Sequence, residues 1–176
     1  MSEQGSKSKF QIFRAEDAPG LMESGHMKVE PYTDLQRQWV VKAKEAGLLE
    51  GDQLKVLLDI PGFNLTYAWL KKEYPLPLHS HDSDCLYYII AGDVRIGTER
   101  LGAGDGFFVP AGVPYQYTPG EDGVEVLEFR TVSQFNMLNL SKGEGFWRKA
   151  VDSLNATQDD WAQAVPPSKK LTHLQK

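Results

Sequence analysis

The segment PLHSHDSDCLYYIIAGDVRIGTERLGAGDGFFVPAGVPY, residues 77–115, carries two histidines at i, i+2 and a run of β-forming residues. A Gly-Asp turn signal and a Pro-x-Gly turn closed by a tyrosine follow. Alternate residues of a strand point to the same face. His79 and His81 can therefore aim two imidazoles into one cavity, as a metal site needs.

Working outward, the spans 53–60, 63–70, 85–91, 93–98, 106–109, 114–118 and 124–131 read as short strands. Gly and Pro punctuate them: Pro61-Gly62, Gly92-Asp93, Gly102 to Asp105, Pro119-Gly120 and Asp122-Gly123. Many short strands so spaced predict a β-sandwich or a barrel-like jelly roll. On 63–70, alternation puts Phe63, Leu65, Tyr67 and Trp69 on one face and Asn64, Thr66 and Ala68 on the other. Upstream, Thr33-Asp34-Leu35-Gln36 has the pattern of a capping box. The helix after it should bury Leu35, Trp39, Ala43 and Ala46 and stop at Gly47. Downstream, Ser141 to Glu144 is a second capping-box pattern, leading into Phe146, Trp147, Ala150, Val151 and Leu154 on one face. Thr157 to Asp160 reads as the cap of a further short helix through Trp161 and Ala164, ended by Pro166-Pro167. Residues 1–9 and the last nine read as loose.

The histidine pair and the Pro-Gly turn resemble the two signature motifs of the cupin superfamily, roughly G-x5-H-x-H-x(3,4)-E-x6-G and G-x5-P-x-G-x2-H-x3-N. Here the first runs His79, His81, Cys85, Gly92; the second runs Gly104, Pro110, Gly112, Tyr115. Cys85 stands where the family has Glu, and Tyr115 where it has His. The resemblance covers residues ~54–130 and one copy of each motif, hence one module. It implies an all-β fold, a cupin-type double-stranded β-helix (jelly-roll barrel) with an N-terminal helix and a C-terminal helical extension. The corresponding division is a tail at 1–9, an N-terminal extension with a helix at 10–53, the barrel at 54–131 and a C-terminal extension with short helices at 132–176.

The resemblance also implies one divalent metal ion held by His79 and His81, with iron the first expectation and zinc, nickel, copper or manganese the alternatives. Cys85 and Tyr115 are then the candidate catalytic residues. Cys85 would have a lowered pKa beside a cation, or would be the small buried hydrophobe that most free cysteines are. Tyr115 would donate to a substrate oxyanion or act as an acid, or with Tyr117 would fill the barrel mouth. Tyr67, Trp69, Tyr87 and Tyr117 are the candidate substrate-binding wall, core packing being the alternative for each. Asp82 and Asp84 either supply the carboxylate that the motif lacks, by a bend in the loop, or are turn formers that bond their own backbone, the turn being the first expectation for each. Glu128 and Arg130 are read as a surface pair of small value. His26 and His173 have no partner pattern.

The chain has 176 residues, one cysteine and a formal net charge of −5. One domain is the default at this length. The charge gives no reason to expect nucleic-acid binding, and no apolar run approaches the ~20 residues that span a bilayer. The polar N-terminus shows no secretory signal. The lone cysteine agrees with a cytoplasmic location. The resemblance implies a metal-dependent enzyme acting on a small organic molecule, foremost an iron-type dioxygenase of a carbonyl or aromatic compound. The alternative is a metal-poor, small-molecule-binding or regulatory cupin without catalysis. A homodimer is the expected assembly.

Overall fold

The computed structural model describes residues 9–171. The expected tail at 1–9, apart from Lys9, and His173 lie outside the described residues. The strands are β1 (Met27–Val29), β2 (Asp52–Ile60), β3 (Phe63–Leu70), β4 (His79–Ser80), β5 (Cys85–Ile96), β6 (Glu99–Gly102), β7 (Gly106–Val109), β8 (Thr118–Arg130) and β9 (Phe135–Asn139). The helices are α1 (Asp34–Glu45), α2 (Glu144–Ala162) and α3 (Pro167–Leu171). A six-stranded sheet has the order β2-β3-β8-β5-β6, with β7 also paired to β5. A three-stranded sheet has the order β1-β9-β4. It draws β1 and β9 from chain outside 54–131. These two strands pair in parallel, Met27 opposite Phe135, a connection that no local pattern announces.

Register sets which residues face inward. Opposite residues of a sheet share a face, and one inner row crosses Thr66, Glu128, Tyr87 and Phe107. The inner face of β3 is thus Asn64, Thr66, Ala68 and Leu70, all buried. Phe63, Tyr67 and Trp69 lie on the outer face. The β3 face that looked polar is the interior, because the barrel encloses polar groups that these residues meet.

Two expected strands merge. Gly92-Asp93 is not a turn; β5 runs through it with a register shift between Gly92 and Val94. Gly92 has φ +77°, and a Cβ there would lie 2.1 Å from the Gly123 carbonyl oxygen. Only glycine fits such a bulge without strain. Residues 114–117 form no continuous strand, and Tyr115 makes only an isolated bridge to His79.

The capping box at Thr33 is present. The Thr33 backbone N–H donates to the Gln36 side chain (2.9 Å), and the Gln36 N–H to the Thr33 hydroxyl (3.2 Å). Such a cap contributes about 1 kcal/mol. Helix α1 buries Gln36 and Ala43 and ends before Gly47, which has φ +94°. Leu35 is 41% exposed, so the buried stripe begins one residue later than expected. Gln36 takes that place because its amide donates to Asn139 and Ser141 backbone carbonyls.

Helix α2 is one long helix rather than two short ones. Its N-cap is Gly143, and the Ser141 hydroxyl instead accepts the Leu78 N–H (3.0 Å). Thr157 is no cap; its hydroxyl bonds back to the Ser153 carbonyl inside the helix (3.0 Å). Pro167 opens α3, so residues 168–171 of the nine read as loose are helical, and 172–176 lie outside the described residues; proline suits a helix start, where its missing N–H costs nothing. Helices α1 and α2 pack through Ala43, Ala46, Trp147, Leu154 and Trp161. Val40, Ala43, Trp147 and Ala150 from this layer also line the barrel's cavity.

Candidate functional site

The two motif segments are zipped together by backbone bonds. The His79 N–H donates to the Tyr115 carbonyl (3.2 Å), the Tyr115 N–H to the His79 carbonyl (2.9 Å) and the Gly112 N–H to the His81 carbonyl (2.7 Å). This bridge brings the Tyr115 ring centroid to 4.3 Å from that of His79. The His79 and His81 centroids are 5.1 Å apart, nearly edge to face. Both rings are fixed through Nδ1, His79 on the Pro77 carbonyl (2.7 Å) and His81 on the Asn136 carbonyl (2.5 Å). A carbonyl only accepts, so each Nδ1 carries the proton and each Nε2 keeps its lone pair. Burial holds both imidazoles below their ordinary pKa, His79 at about 4 with the neighbouring His81 adding to the effect. For His81 the second cause is the Arg130 charge.

The histidines line a cavity of about 560 Å³ together with Tyr115, Tyr117, Glu128 and Arg130. Most of its remaining wall is apolar, including Leu54, Leu70, Phe135, Met137 and Trp147. Glu128 and Arg130 are therefore not a surface pair. They lie on the inner row of β8, 2.7 Å apart, with side chains 11% and 1% exposed. The Arg130 guanidinium also lies 3.9 Å over the Phe135 ring. Burial opposes the Arg130 charge, but Glu128 beside it raises its pKa on balance. Its Nε–H is buried with no hydrogen-bond partner.

A chain of polar contacts leads from this pair to Tyr115. Arg130 can only donate, and it reaches the Tyr87 hydroxyl at 3.4 Å. The Tyr87 and Tyr115 hydroxyls are in short contact. With Tyr87 accepting from Arg130 and donating to Tyr115, the Tyr115 proton is left for a ligand. Burial, then the Glu128 charge, pushes the Tyr115 phenol above its ordinary pKa, so it is a neutral donor.

The remaining candidates fall elsewhere. Tyr67 and Trp69 do not line this cavity; the β3 register turns them outward, and the Tyr67 hydroxyl donates to Glu125 (2.7 Å). Cys85 is buried in the barrel wall, and burial, with Glu128 adding, pushes its thiol up to about 12. It packs there among Tyr87, Val109 and Tyr115 in the barrel core. Tyr87 is buried behind the lining, stacked on Phe107 at 4.6 Å. Asp82 and Asp84 accept backbone N–H groups of Asn136 and Ala111, both at 2.8 Å, and hold the loop. His26 pairs with Asp59 at 3.3 Å, outside the cavity lining. Glu128 and Arg130 are what sequence reasoning missed. Their in-phase spacing with Val124 and Val126, both fully buried, is the signal that could have placed them.

A divalent cation finds two nitrogen donors here and no complete set. Among the described residues, no three or more His, Cys, Asp or Glu converge on a metal position. Glu128 is engaged by Arg130. The residues present do not complete the three protein ligands of an open catalytic site.

Among solved structures, the polyketide cyclase RemF from Streptomyces resistomycificus overlays with a TM-score of 0.55 and 14% identity, over 85% of this chain and 98% of that one. A cupin-like protein of unknown function from Ralstonia eutropha gives 0.49 and 20%, over 86% and 90%. An RmlC-like cupin from Shewanella frigidimarina gives 0.42 and 22%, over 47% and 77%. The chain has a single-module, cupin-type barrel fold. No protein-family model and no curated protein matches it. At these identities the likeness speaks for the cupin barrel alone. Cupin neighbours include enzymes, among them the cyclase above and an oxalate decarboxylase with Mn(II) centres. No helix among the described residues is long and apolar enough to cross a membrane.

Proposed function

We propose that the protein is an enzyme that moves a proton beside a carbonyl group of a flat, largely apolar organic molecule bound in the barrel. The observation that carries this is the pairing of acceptors and donors on one cavity wall. Two Nε2 lone pairs and a neutral Tyr115 O–H belong to side chains that line the same cavity as the Arg130 guanidinium. In the reaction, a C–H proton next to the carbonyl passes to an imidazole Nε2. The C–H electron pair becomes the C=C bond of an enolate, and the carbonyl oxygen takes the charge. Tyr115 and Arg130 donate to that oxygen, as preorganised donors do in an oxyanion hole. The apolar wall excludes water and strengthens these contacts. Polyketides, the class named for the cyclase neighbour, fall within this substrate chemistry.

The test is deuterium uptake at the carbon next to the carbonyl of 1-tetralone, followed by proton NMR in D2O with chelator-treated protein. Uptake above the buffer rate that falls at least tenfold in His81→Ala and Tyr115→Phe supports the reading. Uptake at the buffer rate, or uptake untouched by both substitutions, refutes it.

A second reading, a metal-dependent enzyme such as an iron-type dioxygenase, is favoured by the two fixed Nδ1 atoms, since backbone bonds of this kind orient metal-binding histidines. Elemental analysis of protein purified without chelator, beside His79→Ala, decides it: near-stoichiometric metal lost in the variant supports it. A binding module without turnover is the outcome if ligand binds and neither chemistry is found. The homodimer is part of the proposal, through the outer face of β5 and β7. There Leu86 and Phe108 lie opposite each other and are 47% and 57% exposed. A single species at the 19.8 kDa of one chain in sedimentation at high concentration removes it.

A further inference from the structure

The same cavity has a second polar corner, built from other elements. Asp52 opens β2, and Tyr74 lies in the connection after β3; both line the cavity, as does Tyr32. The Tyr74 hydroxyl donates to Asp52 Oδ2 at 3.1 Å. Tyr74 is itself held by stacking on Trp161, with centroids 6.1 Å apart. We propose that Asp52, positioned by Tyr74, is a ligand-binding group that accepts a hydrogen bond from a hydroxyl at the far end of an elongated, otherwise apolar ligand.

Three observations support this. A carboxylate has two acceptor oxygens, and Tyr74 occupies only one, which leaves Oδ1 for a donor from the cavity. Burial and Tyr74 are the only influences on Asp52, and burial dominates, lifting its pKa to about 6. Among the described residues, no cation forms an ion pair with Asp52, so a role in packing alone would be served as well by Asn or Leu. Much of the neighbouring wall is aliphatic, with Leu48, Leu54, Leu70 and Leu76, so the Asp52 carboxylate is the charged acceptor that a ligand hydroxyl meets there. Perturbed carboxyl groups in clefts concentrate at functional sites.

The inference rests on the cavity being the small-molecule site proposed above and adds the substrate class: a flat compound with a carbonyl or hydroxyl at the histidine end and a second hydroxyl at the Asp52 end. The experiment compares dissociation constants by tryptophan fluorescence at pH 8. The probes are two matched pairs of different length, 2-naphthol with 2,6-dihydroxynaphthalene and 4-hydroxybiphenyl with 4,4′-dihydroxybiphenyl. In the wild type the second hydroxyl should tighten binding about tenfold in at least one pair, the size expected for a hydrogen bond to a charged group. Asp52→Leu should abolish that gap while leaving the mono-hydroxy probe within about twofold. Asp52→Asn, the isosteric variant should the leucine protein not fold, should narrow the gap to under about threefold. Probes that bind with no gap, or with a gap that both variants keep, overturn the inference and leave the cavity reading standing. Failure of all four probes to bind overturns the cavity reading and this inference with it.

Discussion

Glu128→Gln is expected to destabilise the protein by about 3 kcal/mol. The substitution keeps side-chain volume and a hydrogen-bond acceptor but removes the negative charge that faces Arg130. The wild-type pair is 2.7 Å apart, with Arg130 only 1% exposed. At an effective dielectric of about 20, opposite charges about 4 Å apart attract by about 4 kcal/mol. Breaking a buried pair by removing one partner typically costs 3–5 kcal/mol, because the other charge stays buried. Arg130 cannot shed its proton. Its remaining contacts, Tyr87 at 3.4 Å and the Phe135 face at 3.9 Å, are already made in the wild type and offer no new compensation. The neutral glutamine acceptor returns about 1 kcal/mol. For a domain of this size the net loss lowers Tm by about 6–12 °C. Urea unfolding monitored by tryptophan fluorescence measures it. The second half of the argument is non-additivity: Glu128→Gln/Arg130→Met should be more stable than Glu128→Gln alone, since no charge is then left buried. A Glu128→Gln protein within 1 kcal/mol of wild type, or a double variant whose loss equals the sum of the singles, refutes the reasoning.

Asp52 should impose a pH dependence on stability. Its folded pKa of about 6 lies above the unfolded value. As pH rises through about 4 to 6, the unfolded chain therefore loses the proton first and stability falls by about 3 kcal/mol. His79, lowered to about 4, acts in the opposite sense over part of that window. The measurement is therefore the wild type minus Asp52→Asn difference in unfolding free energy at pH 4.5 and pH 8, and a difference that does not change between them contradicts the assignment. Gly92→Ala should cost about 2–4 kcal/mol by urea unfolding. The φ of +77° and the 2.1 Å approach to the Gly123 carbonyl leave no room for a methyl; a loss under 1 kcal/mol shows that the bulge relaxes.

Much of the fold is written locally. The strands at 53–60, 63–70 and 106–109, the Thr33 capping box and the stop at Gly47 are each short-range patterns, and each corresponds to the structure, whereas the expected turns at Gly92-Asp93, Pro119-Gly120 and Asp122-Gly123 lie inside the long strands β5 and β8. Local chemistry forms them: turn residues with particular backbone freedom, and a cap that satisfies helix N–H groups within three residues. Where a pattern had two readings, contacts from elsewhere chose. Ser141 resembles a helix cap but serves Leu78, and Thr157 resembles one but bonds within a continuous helix.

The histidine pair could be read from i, i+2 spacing, because a strand's period puts both on one face wherever the strand goes. The rest of the site required the fold. Whether Tyr67 or Thr66 faces the cavity depends on the register of β3 against β8, set by pairings some 60 residues apart in sequence. The apolar look of the Tyr67–Trp69 face misled because the interior of this barrel carries polar groups while its outer sheet face is partly apolar. The same register converts Glu128 and Arg130 from a surface pair into a buried one, and it packs Cys85 into the core on the same face as Tyr87. The covering of the cavity by α1 and α2, and the parallel pairing of β1 with β9, are likewise contacts between distant segments. Spacing along the chain determines which residues can share a face; only the packing of the sheets and helices determines which face is inside.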